Sequence, residues 1–151
     1  MRGINNFTGL AESLVFRPEQ RQKDRNCGQH CVNFITGLGI ELISDFIGRN
    51  GGTSSKDLTG ALRWFGYECE EYVRLKSPRA SSERKLLFMP QLGILNISSE
   101  HWTILFEGYV FDSCLGKFRF IDIERRKNFK ARGYIEVNPK YLIERLMTRR
   151  S

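Results

Sequence analysis

The chain has little of what marks the special classes of protein. Its first thirty residues hold no apolar signal-peptide core, and no run is long enough to span a membrane. Four cysteines in 151 residues (Cys27, Cys31, Cys69, Cys114) are too few and too irregular for a disulfide framework. There are no internal repeats and no nucleic-acid motif. These absences point to a soluble protein with free thiols, cytoplasmic or otherwise in a reducing compartment, with export lacking a signal peptide left open. With only two histidines, His30 and His101, histidine chemistry has few places to be.

What is present describes a globular domain. At 40% hydrophobic and 12% aromatic the chain is not disordered. Its length fits one domain over 1–151, large enough for a real core, with 1–19 peripheral. The net charge is +7, with much of the excess in 117–132 and 145–150. It reads first as a solvated surface, because the basic residues are scattered. Attraction to an acidic partner, an anionic membrane or nucleic acid is the lesser alternative.

The order of elements is helices first, then strands. A loose segment precedes residue 26, with a short amphipathic helix around Leu10, Leu14 and Val15 that Pro18 ends. From Cys27 the apolar positions Cys31, Phe34, Ile35 and Leu38 recur at helical spacing, with Asn26 as N-cap and Gly37 and Gly39 as the stop. A second helix covers 40–48. A third starts at Thr53 or Ser54, where Ser54 and Asp57 make a capping box, and closes at Gly66. Residues 67–75 then alternate as a strand, and 76–85 read as an exposed loop. Further strands are expected at 93–97, 101–106, 109–113 and 118–123, with a weak one at 134–137. Pro139 introduces a last helix. This pattern predicts an α+β fold with an N-terminal helical layer on an antiparallel sheet, and a site between the layers.

The candidate chemistry centres on Cys27. A thiol at a helix N-terminus is acidified by unpaired amides and by the helix dipole. Cys31, one turn further in, reads as core, and His30 as a helix-surface residue. Gly28 removes bulk beside the thiol, which would let a substrate backbone come close. If Glu107-Gly108 is a two-residue turn, Thr103 opposes Asp112, and Asp112 becomes the diagonal neighbour of His101 on one face. A carboxylate there would orient the imidazole and stabilise its cation. An oxyanion needs donors; the Cys27 amide is one, and Gln20 and Gln22 are both available as a second. A zinc site from Cys27, His30, Cys31 and Cys114 fits tetrahedral-site spacings poorly. The reading calls for no metal and no cofactor.

Residues Asn26-Cys27-Gly28-Gln29-His30-Cys31-Val32-Asn33 resemble the catalytic-helix start of the papain-like cysteine peptidases. The 51–58 stretch (Gly-Gly-Thr-Ser-Ser-Lys-Asp-Leu), Trp64–Tyr67, His101-Trp102-Thr103-Ile104 and Val110-Phe111-Asp112-Ser113 are similar to the bacteriocin-processing double-glycine peptidase-like group. Gln29–Asn33 and Glu100-His101-Trp102 look like the Josephin deubiquitinases, which usually have Asn where Asp112 falls. The likeness spans roughly 20–123. It implies a papain-like fold, Cys27 as nucleophile, His101 as base and acid, Asp112 as orienter and Gln22 as oxyanion donor. Gln22 follows the Josephin spacing; the double-glycine spacing would fall on Arg21, a departure. Both groups cleave after paired glycines. The implied substrate is a protein or peptide, ubiquitin-like or containing Gly-Gly, cut by a stand-alone enzyme, since neither a membrane span nor an ATP-binding motif is present. An acyltransferase or deamidase would use the same residues. A non-catalytic basic binding module is the alternative from another class.

Overall fold

Local stop signals divide the first half of the chain, and the structure, a computed structural model, follows them closely. It describes residues 7–19, 25–97, 101–126 and 128–150. Helix α1 spans Leu10–Ser13 and α2 spans Cys27–Thr36. Gly37 ends α2 in the left-handed conformation at φ 75°, where a side chain would be strained. Helix α3 is Ile40–Ile47 and ends the same way at Gly48. Helix α4, Ser55–Trp64, opens on the expected capping box. The Ser54 side chain accepts from the Asp57 amide, and the Asp57 carboxylate accepts from the Ser54 amide.

The second half forms a six-stranded antiparallel sheet. Its strands are β1 (Val73–Arg74), β2 (Leu92–Ile97), β3 (His101–Phe106), β4 (Tyr109–Asp112), β5 (Gly116–Arg119) and β6 (Ala131–Glu136), in the order β1-β6-β2-β3-β4-β5. The helices of this half are α5 (Ser82–Leu86), α6 (Phe120–Ile123) and α7 (Lys140–Arg150). The fold is therefore α+β, as the element order predicts.

Both faces of the sheet are covered, which two layers would not do. On one face Ile94, Trp102, Ile104, Phe106, Phe111 and Ile135 pack with Val32, Ile35, Leu58 and Leu62 of α2 and α4. On the other, Leu95, Leu105, Val110 and Tyr134 pack with Phe120, Ile123 and Phe129. Strand β2 (Leu-Gly-Ile-Leu-Asn-Ile) is nearly continuous in apolar residues because it is covered twice.

The second cover lies where the expectation fails. Residues 76–85 are not simply a loop: Ser81 caps α5, its hydroxyl accepting from the Arg84 amide. Residues 118–123 are not one strand. The chain leaves β5 at Arg119 and turns into α6, where Phe120 and Ile123 are both buried at a spacing of three, not two. The strand expected over 67–75 reduces to β1 and a single bridge from Cys69 to Val137. The weak strand at 134–137 is instead the long β6, inserted between β1 and β2.

Residues 7–19 are also better packed than a loose loop. Helix α1 is shorter than the expected amphipathic helix, and Val15 is exposed. Yet Leu10 and Ala11 are buried, and the Phe16 ring meets Phe34 and Phe111. The Thr8 amide and hydroxyl donate to the buried Glu107 carboxylate.

Candidate active site

The β3–β4 hairpin sets the geometry. Glu107 and Gly108 both have positive φ, 49° and 82°, as a two-residue turn between right-twisted strands requires. Phe106 pairs with Tyr109, Leu105 with Val110 and Ile104 with Phe111. This is the register that makes Asp112 the diagonal neighbour of His101, and Nε2 of His101 lies 2.6 Å from Oδ2 of Asp112. Asp112 is fully buried. Its other oxygen accepts the amides of Cys114 and Leu115, each at 2.9 Å. Both carboxylate oxygens are thus engaged, and the carboxylate is fixed before any substrate arrives.

By strand alternation His101, Thr103 and Leu105 share the face turned away from α2. The imidazole still reaches Cys27, because His101 is the first residue of β3 and Cys27 the first of α2. The site therefore joins the helical layer, which carries Cys27, to the sheet, which carries His101 and Asp112, at the end of the sheet. Trp102 points to the opposite face. Its indole Nε1 donates to the Thr53 carbonyl at 3.1 Å, and its backbone amide donates to the Cys27 sulfur at 3.4 Å. Nothing local in the sequence signals that contact.

The electrostatics favour an ion pair. Burial alone would raise the Cys27 pKa. Hydrogen bonding from His101, the Trp102 amide, the His101 charge and the Gly28 amide outweigh it, and the thiol is lowered. Burial likewise pushes the imidazole down, but hydrogen bonds to Asp112 and Cys27 and the charges of both raise it to about 10. Asp112 is held below its ordinary value against burial, chiefly by His101 and then by the two turn amides. Cys31 behaves in the opposite way. Burial raises it well above an ordinary thiol, and the charges of Cys27 and Asp112 add to that.

Two expected roles at the start of α2 are corrected. Asn26 occupies the N-cap position but does not cap; its side chain is buried and donates from Nδ2 to Oδ1 of Asn50 at 3.1 Å. Gly28 does not open a path for substrate. A Cβ there would lie 2.1 Å from Oγ1 of Thr53 and 3.0 Å from Leu58, so the missing side chain is what lets the loop before α4 pack on α2. Gln29 pins the same loop, donating to the carbonyls of Arg49 and Gly51. Gln20 and Gln22 lie outside the described residues. Among the described residues no group of three or more His, Cys, Asp or Glu side chains is arranged to hold a metal ion. No single described helix is long and apolar enough to cross a membrane.

A lowered thiol, an imidazole within its reach and a buried carboxylate behind that imidazole form a set able to run acyl transfer. No protein-family model and no curated protein matches the sequence. The fold is similar to a solved structure, a double glycine motif protease from an AMS/PCAT transporter in complex with the leader peptide. The TM-score is 0.61 at 17% identity, over 84% of this chain and 93% of that one. The resemblance to double-glycine peptidases that the motifs carry is thus matched by a shared three-dimensional fold.

Proposed function

We propose that the protein is a papain-like cysteine peptidase acting through Cys27, His101 and Asp112. The observation that carries this reading is the 2.6 Å His101–Asp112 contact beside a thiol of lowered pKa. The Cys27 thiolate attacks the carbonyl carbon of a peptide bond. The Cys27 backbone amide stabilises the oxyanion, with Gln22 as the second donor that the sequence resemblance implies. The imidazolium of His101 gives its proton to the leaving amine as the C–N bond breaks, leaving a thioester on Cys27. His101 then takes a proton from water, which attacks the thioester and releases the acid. Asp112 keeps the imidazole oriented throughout and balances its charge.

A bond following Gly-Gly is the favoured target. Its support is the resemblance to two groups that cleave after paired glycines, together with the double glycine motif protease that shares the fold. Gly28 adds no support, since Thr53 fills the space beside it. The test is cleavage of Gly-Gly leader-type peptides and ubiquitin-like C-terminal fusions by the wild type and by Cys27→Ala. The wild type is expected to cut at least one set, and the variant neither. Failure of the wild type on both sets would overturn the reading. Product masses separate hydrolysis from transfer to an amine or deamidation, which the same three residues could perform.

A further inference from the structure

Some surface arginines are ion-paired and others are not. Arg49, Arg63, Arg119 and Arg125 each meet a carboxylate, those of Asp57, Glu71, Asp122 and Glu83 respectively. Arg17, Arg25, Arg84, Arg126 and Arg149 form no ion pair among the described residues, and neither do Arg74, Arg79 and Arg132. The last three come from β1, from the turn before α5 and from β6, yet they line one hollow of about 670 Å³. Tyr72, Asn96 and Lys130 share the lining, and among the described residues no carboxylate does. The scatter of basic residues along the sequence therefore hides a cluster that only the fold assembles.

Two backbone features build it. Asn96 pairs with Gly133 but Ile97 pairs with Ala131, so Arg132 is an extra residue in β6. Such a bulge breaks the ladder locally and re-aims a side chain. Gly133 makes room for Tyr72: a Cβ there would lie 2.2 Å from the phenol oxygen. The Tyr72 ring consequently lies over β6, with its hydroxyl 3.5 Å from Oδ1 of Asn96. Burial raises the Tyr72 pKa while the charges of Arg74 and Arg132 pull against it, a sign that both cations stand close.

The hollow adjoins the candidate active site. The Tyr72 ring packs edge-on against Trp102, centroids 6.0 Å apart, and Trp102 is the residue whose amide meets the Cys27 sulfur. Asn96 and Ile97 pair with Trp102 and His101 in the β2–β3 ladder. The Tyr72 and Trp102 rings thus link the hollow to the residue whose amide meets Cys27.

We infer that this hollow selects the substrate by binding an acidic stretch of the polypeptide near the bond to be cleaved. The inference rests on the peptidase reading. Guanidinium groups bind carboxylates through paired hydrogen bonds, and three of them without internal partners leave that capacity unused. Single-stranded nucleic acid would call for aromatic faces on which bases stack. The one aromatic in the lining, Tyr72, is committed to Gly133 and Trp102.

The first test is binding of a fluorescein-labelled hexaglutamate peptide to the full chain, read by anisotropy. The triple variant R74Q/R79Q/R132Q is expected to weaken binding by about tenfold or more. The control R17Q/K56Q/R149Q removes equal charge from exposed positions elsewhere and is expected to leave binding within about twofold. Equal losses in the two variants would reduce the effect to net charge and overturn the inference. So would tighter, equally arginine-dependent binding of a single-stranded oligonucleotide. The second test is cleavage of a randomised peptide library. The wild type is expected to favour Asp and Glu at a fixed distance from the cut, and the triple variant to lose that preference while Cys27 alkylates at the same rate. A library cut without acidic preference overturns the hollow's role and leaves the peptidase standing. A library left uncut overturns the peptidase and with it the selection of substrate; anisotropy alone then decides whether the hollow binds acidic peptide.

Discussion

Two charge pairs lie toward the same face of the sheet, and only one of them stands beside a thiol. Lys85 of α5 and Glu124, just past α6, meet at 2.7 Å with side chains 2% and 1% exposed. His101 and Asp112 meet at 2.6 Å with side chains 23% and 0% exposed. The first pair is closed on all sides. Oε2 of Glu124 also accepts the Ala131 amide, and Lys85 approaches the Ala131 carbonyl, so each charge ends in protein. The second pair has an open side, and a thiol stands there. Proximity of opposite charges is common to both. Partial exposure and a third titratable group distinguish a site from a fastening.

The comparison can be broken at either pair. Asp112→Asn removes the charge behind His101 and should give the largest effect on turnover, a loss of roughly 10²–10⁴-fold in kcat, with the fold retained by circular dichroism. An unchanged kcat would place the carboxylate outside the chemistry. Lys85→Ala strands Glu124 in the interior and should cost about 3–5 kcal/mol in urea unfolding, while Cys27 of the folded fraction alkylates at the normal rate. The double change Lys85→Met with Glu124→Leu should recover most of that loss. Gly28→Ala is the smallest of the three. It forces Thr53 aside and should destabilise by about 1–3 kcal/mol, less in a Thr53→Ala background.

The two groups of the reactive pair set opposite ends of a pH window. The His101 pKa is raised from 6.5 to about 10, so its contribution to stability is complete below the ordinary imidazole value and fades as pH rises through about 10. Asp112 is lowered from 3.8, so its contribution is present above that ordinary value and is lost as pH falls through its folded one. Activity should therefore hold across a broad neutral range. It should fall in acid as the Cys27 thiolate and Asp112 take up protons, and in alkali as His101 loses its proton.

What could be read from the sequence was set by local chemistry. The capping box at Ser54, the glycine stops after α2 and α3, and the Glu107-Gly108 turn each act within a few residues. The turn fixes the register that joins His101 to Asp112, so half of the site was legible from one hairpin. What could not be read depends on distant contacts. Lys85 and Glu124 are 39 residues apart, and a lysine in a polar stretch gives no sign of being buried. Gly28 owes its identity to Thr53 on another element, and Asn26 turns to Asn50 instead of capping its own helix. The Phe118–Ile123 run fits a period of two or of three, and only the packing of Phe120 and Ile123 under the sheet chooses.

The proposed chemistry depends on Cys27 being a thiolate in an ion pair with His101. The direct measurement is the alkylation rate of each of the four cysteines as a function of pH, read by mass spectrometry of the intact fold. Cys27 should alkylate fast from mildly acidic pH upward, while Cys31, sealed one turn along the same helix, should stay unlabelled until the protein unfolds. Equal slow labelling of all four, or a Cys27 rate that rises only in the range of an ordinary thiol, would contradict that ion pair.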